Sequence, residues 1–125
     1  MLLYDGHCRF CTAQGRNMLR LARPGAIELV SFQEEGVLAR FHGLTHEACM
    51  KAMQLVAPDG RVFSGAEAAV RALGTRAIGK LAYIYYVPLI RQLADLIYWI
   101  IAKNRYRLGG KVECADDACA LHLKQ

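Results

Sequence analysis

Two cysteines with two residues between them, Cys8 and Cys11, stand in the run Asp5-Gly6-His7-Cys8-Arg9-Phe10-Cys11, and this spacing suits thiol-disulfide exchange. If the first thiol sits at a helix's first turn, unpaired backbone N–H groups and the helix dipole stabilise its thiolate, and the second thiol lies one turn on, within reach. On this reading Cys8 is the exposed nucleophile, and Cys11, on the packed helix face with Gly15 and Met18, is the resolving thiol. His7 and Arg9 add positive potential that favours a thiolate at Cys8. Asp5, three residues earlier, has two readings: a turn residue that binds nearby backbone donors, or a proton acceptor for a cysteine.

The elements that must hold this pair follow from the pattern around it. Leu2-Leu3-Tyr4, ended by Asp5-Gly6, reads as a buried strand running into a loop. From Arg9 to Ala22 the period is helical, and Pro24-Gly25 stops it, so Cys8 falls at the helix start. Ile27 to Phe32 reads as a second strand, parallel to the first if the helix joins them in one sheet. Short helices are expected over Glu34 to Phe41 and from Thr45 to Met50. Met53 to Ala57 and Arg61 to Ser64, around Pro58-Asp59-Gly60, form a hairpin, and Ala66 to Leu73 a helix closed by Gly74.

Ile78 to Ala102 is the most apolar region, yet Lys80, Arg91 and Asp95 interrupt it, and its longest uncharged run, Leu81 to Ile90, is about half the ~20 residues a membrane span needs. It reads instead as two helices broken near Pro88, with Leu89, Leu93, Leu96, Ile97, Ile100 and Ile101 as the face that packs on the domain. Tyr83, Tyr85, Tyr86 and Trp99 are expected to pack with it, any exposed part being free to form an interface, including a peripheral membrane one. Gly109-Gly110 breaks the pattern before a loop-like tail that holds Cys114 and Cys119.

At 125 residues the chain has the length of one domain with its own core, here a core of about 1–74 with a helical extension and tail over about 75–125. Five cysteines, an odd number, fit a reducing compartment better than a secreted disulfide framework, and no signal peptide is visible at Met1-Leu2-Leu3-Tyr4-Asp5, so a cytoplasmic setting is expected. The net charge of +5 is spread over basic helix faces with few aromatics among them, which argues against a nucleic-acid site. Cys49 reads as a small buried hydrophobe, and His42, His46 and His122 as turn or surface residues. Arg105-Tyr106-Arg107 reads as the solvated end of the last helix, where cations suit the dipole.

The run Tyr4 to Cys11 resembles the Asp-x-x-Cys-x-x-Cys signature of the DCC family of thiol-disulfide oxidoreductases. Asp59-Gly60-Arg61-Val62 with Ser64 to Ala68 resembles that family's hairpin and following helix, and Asn104 to Arg107 its late basic-aromatic segment. The resemblance implies a thioredoxin-like α/β fold, a mixed four-stranded sheet flanked by helices with a C-terminal helical extension. It also implies redox use of Cys8 and Cys11, with Asp5 as the signature acid, but no particular substrate; thiol-disulfide exchange itself calls for a protein or small-molecule thiol or disulfide and no cofactor. One departure from the wider thioredoxin pattern stands out: Lys51-Ala52-Met53-Gln54 offers no proline before the strand that faces the cysteine pair.

Two other readings use the same cysteines. Cys8 and Cys11 are half of a tetrahedral zinc site, with Cys114 and Cys119 as a loosely spaced second half. Alternatively the cysteines are structural, in a non-catalytic interaction domain.

Overall fold

The computed structural model describes residues 1–76 and 78–110; Cys114, Cys119 and His122 lie outside them. Leu2–Tyr4 forms β1, Arg9–Leu21 α1 and Leu29–Ser31 β2. His46–Lys51 forms α2, and Gln54–Val56 and Val62–Ser64 form the hairpin strands β3 and β4. Gly65–Leu73 is α3, Ile78–Tyr86 a 3₁₀ segment, and Pro88–Gly109 the long α4.

The four strands make one mixed sheet in the order β2-β1-β3-β4. β1 runs parallel to β2, with Leu3 opposite Val30, and antiparallel to β3, which pairs antiparallel with β4. This is the thioredoxin-like α/β arrangement, with α4 as a C-terminal addition.

Because successive strand residues point to opposite faces, β1 divides its side chains between two cores. Leu2 and Tyr4 join Leu29, Leu55, Ala68 and Ala72 on one face, while Leu3 joins Phe32, Val37, Leu44, Cys49 and Val56 on the other. Full burial of each such leucine is worth about 1.5–3 kcal/mol, so the site-bearing strand is anchored on both of its faces. Gly15 lets α1 lie close on β2, since a Cβ there would stand 2.9 Å from Leu29 Cδ1.

Three expectations need correction. Over Glu34 to Phe41 only a 3₁₀ turn, Leu38–Arg40, forms, because Gly36 adopts a φ of +76° that ends any continuous helix. The last helix runs to Gly109 and so includes Arg105 to Arg107 as expected, but this end is not wholly solvated, since Arg105 is buried.

The third correction concerns the Leu89, Leu93, Leu96, Ile97, Ile100 and Ile101 face, most of which points outward, with Leu93 59% exposed; only Ile101 turns partly inward, toward Cys11 and Phe10. α4 docks instead by its polar side: Tyr98 Oη accepts from Met53 N at 3.0 Å, Asp95 Oδ1 accepts from Tyr85 Oη at 2.7 Å, and Arg105 is buried. Of the four aromatics expected to pack, Tyr85 is buried and Tyr86 half-buried, whereas Tyr83 and Trp99 are exposed.

Candidate redox site

The site is built where β1 ends. Asp5 leaves the strand 2% exposed, and Gly6 turns the chain so tightly that a Cβ would meet Ser31 Oγ at 2.6 Å. Cys8, with extended backbone, is the N-cap of α1, and its Sγ accepts from Cys11 N at 3.2 Å. A thiol thus stands where serine or aspartate usually satisfies a helix's first free donors. Cys11 follows one turn later, half-buried.

The expected exposures of the two sulfurs are reversed. Cys8 is 0% exposed, and Cys11 borders a cavity of about 70 Å³ with Phe10, Gln14, Cys49, Tyr98 and Arg105 among its walls. The last turn of α4 lies on the start of α1, where a Cβ on Gly109 would stand 2.6 Å from Phe10 N. Arg9, expected beside the thiols, is exposed. The guanidinium at the site comes instead from Arg105, whose Nη1 donates to Cys11 Sγ at 3.8 Å.

Asp5 ties the end of β1 to the last turns of α4. Its Oδ1 accepts from His7 N at 3.0 Å and from Gln33 Nε2 at 2.6 Å. Its Oδ2 accepts from Tyr106 Oη at 2.5 Å and pairs with Arg105 Nη2 at 3.3 Å. Arg105, 6% exposed, also donates to Met50 O at 2.5 Å and Tyr106 Oη at 3.2 Å. No buried side-chain nitrogen or oxygen among the described residues lacks a partner. A buried carboxylate and guanidinium are tolerated only with such completeness.

The electrostatics follow from this burial. Cys11 is pushed up to about 12, first by desolvation, then by its hydrogen bond to Cys8 and Cys8's charge, with Arg105 opposing and Asp5 adding a further rise. Tyr106 is also raised to about 12, by burial and then by its bond to Asp5. Desolvation works against the charge of Arg105, but Cys11, Tyr106, Asp5 and Cys8 together outweigh it and raise its pKa.

The corner thus brings Cys8, Cys11 and Asp5 together, a ligand atom of each lying within 4.8 Å of the others. The turn reading of Asp5 holds in its bond from His7 N, and its carboxylate lies near both thiols. For a cation the donor set is a poor fit, since Asp5 already carries the Arg105 ion pair. Sequence reasoning missed Gln33, Tyr98, Arg105 and Tyr106. For Arg105 and Tyr106 the signal was present in the Asn104 to Arg107 segment but was assigned to solvent.

The missing proline has a structural counterpart. Met53 stands at the entry to β3, its N–H taken by Tyr98 Oη, and no cis peptide bond occurs among the described residues. Cys49 is buried as expected, and His42 and His46 are exposed.

Comparison with known proteins bears on this geometry. Residues 2–111 match the DCC1-like thiol-disulfide oxidoreductase family. The uncharacterised Bacillus subtilis (strain 168) protein YuxK is 26% identical over 117 residues, covering 91% of this chain and 84% of that protein. An uncharacterised Arabidopsis thaliana protein described as chloroplastic, At5g50100, is 28% identical over 112 residues, covering 88% of this chain but 52% of its own length. No solved structure gives a match. With the signature cysteines at the strand-to-helix corner and the match running over nearly the whole described chain, this protein belongs to the DCC1-like thiol-disulfide oxidoreductase family.

Proposed function

We propose that Cys8 and Cys11 cycle between dithiol and disulfide, with Cys8 as the nucleophile, Cys11 as the resolving thiol and Asp5 as the acid that orders the site. The observation that carries this reading is the division of labour between the sulfurs. Cys8 Sγ accepts a backbone N–H at a helix N-terminus, while Cys11 keeps its proton, pushed up to about 12.

The cycle then runs in two balanced steps. The Cys8 thiolate attacks a substrate disulfide, forming a mixed disulfide, and the departing thiolate takes a proton from solvent. Bonding at Cys8 removes two of the causes that raise Cys11, its hydrogen bond and the neighbouring charge, so Arg105 lowers it against burial and Asp5 alone. Cys11 then gives its proton to solvent and attacks Cys8, so the Cys8–Cys11 disulfide forms, the Cys8–substrate bond breaks, and the second substrate thiolate leaves and takes a proton. The two substrate thiols carry off the two electrons. Since Cys8 is fully buried, the attack requires a local opening of the corner that uncovers its sulfur. A reducing, cytoplasm-like setting suits a resting dithiol and belongs to this reading.

Oxidised glutathione tests the assignment. A Cys11→Ser protein should retain one glutathione on Cys8, located by peptide mass mapping, whereas the wild type should release it and close its own disulfide. Adduct on Cys11 in a Cys8→Ser protein, with Cys8 inert, would reverse the two roles. No adduct on either, or stoichiometric zinc bound through both sulfurs, would remove the redox reading.

A further inference from the structure

The outward face of α4 has no use in the redox cycle. Leu89, Leu93, Leu96, Ile100, Lys103 and Arg107 follow one another at three- and four-residue steps and so form a single row along the helix. Four apolar residues come first and two cations end it, all six exposed. The apolar surface continues round the 97° bend before Pro88 onto Val87, Ile84 and Leu81. Thirteen of the fifteen large exposed hydrophobics among the described residues lie between Leu81 and Leu108. Clustering of this kind marks an interaction surface, whereas scattered single residues need no explanation.

Charge chooses the occupant. Residues 80–110 contain five lysines and arginines and one acid, Asp95, which hydrogen-bonds Tyr85 and ion-pairs with Arg91. Arg91 also meets Glu67, and Arg105 is buried against Asp5. Lys80, Lys103 and Arg107 are exposed and make no salt bridge among the described residues. A second copy would set this positive surface against itself. Trp99 stands exposed at the border of the row with Lys103 Nζ 4.9 Å from its ring centroid, an aromatic and a cation at the level where an apolar phase meets a charged one. No single described helix is long and apolar enough to cross a membrane.

We infer that the outward face of α4, with the bend before it, docks the protein flat on an anionic lipid bilayer. The Leu89 to Ile100 row enters the acyl boundary, and Lys80, Lys103 and Arg107 meet the headgroups. This inference does not depend on the redox reading. Tyr98, Ala102 and Arg105, on the opposite side of α4, stay with the thiol cavity, so docking leaves the site's own contacts in place.

Trp99, the chain's one tryptophan, reports on it directly. The full chain should float with vesicles of phosphatidylcholine containing phosphatidylglycerol, far less with phosphatidylcholine alone, and its emission should shift to the blue. At about 1 kcal/mol per surface-near cation, Lys103→Gln with Arg107→Gln should weaken partition about 30-fold, and added salt should do the same in part. Leu96→Ser with Ile100→Ser, both exposed, should abolish binding while leaving the circular dichroism unchanged. Equal binding to both vesicle types, or none to either, would overturn the inference. So would a blue shift that appears without lipid on concentration and tracks a dimer in sedimentation, which would make a second copy the occupant.

Discussion

α4 has two sides that invert the usual design of a surface helix. The side turned to the domain carries Tyr98, Arg105 and Tyr106, while the side turned away carries Leu89, Leu93, Leu96 and Ile100. Ordinarily the apolar stripe faces the core. Here the helix is held by specific polar partners: Met53 N for Tyr98 and the Asp5 carboxylate for Arg105 and Tyr106. Apolar periodicity therefore identifies a helix and its faces, but which face a fold buries depends on what the rest of the chain offers. In this protein the cysteine corner offers a buried carboxylate, and α4 answers it.

If that comparison is right, substitutions on the two sides should differ steeply. The largest effect belongs to Arg105→Leu, which strands the Asp5 charge in a buried site and should cost about 3–5 kcal/mol, read by denaturant unfolding. An Arg105→Leu protein of wild-type stability would mean that the ion pair is not what holds α4. Tyr98→Phe leaves the Met53 N–H without its acceptor and should cost about 1–3 kcal/mol. On the outward side Leu93→Gln should change stability by no more than about 0.5 kcal/mol. A loss there comparable with Tyr98→Phe would show that the apolar row is packed in solution.

The pH response sharpens the comparison within the site itself. In the reduced protein the Cys11 thiol, pushed up to about 12, should stay protonated well above its ordinary value of 9.0. Between these values an unfolded chain has lost that proton and the native one has kept it, so the native state is progressively destabilised as pH rises from about 9 to about 12. Cys8→Ser removes the neighbouring sulfur whose hydrogen bond and charge raise Cys11, and should narrow that window from above, which thiolate absorbance can follow.

Much of this was legible in order along the chain. The strands β1 and β2 announced themselves as short apolar runs closed by turn residues, the hairpin by Asp59-Gly60, and the redox corner by Asp5, Cys8 and Cys11. What was not legible has a common cause. The burial of Cys8, the inward aim of Arg105 and the outward aim of Leu93 all depend on contacts between segments about 50 to 100 residues apart, such as Arg105 with Met50 and Tyr106 with Asp5. A cation in the last turns of a helix is favourable in solvent by the dipole alone. Only a buried carboxylate at the far end of the chain makes the inward position better, and local pattern holds no record of it. Gln33 was hidden in the same way, as an ordinary polar residue after a strand that turns back to hold both Gly6 N and Asp5.

The central claim, that Cys8 and Cys11 form one working redox couple, is tested most directly by equilibrating the purified protein across a series of glutathione buffers and counting free thiols by mass. The account predicts a single two-electron transition, with about 30 mV per tenfold change in the oxidised-to-reduced ratio. It should vanish in both Cys8→Ser and Cys11→Ser and persist in Cys49→Ser. A transition that survives the loss of either Cys8 or Cys11, or a wild-type pair that stays reduced in every buffer, would contradict it.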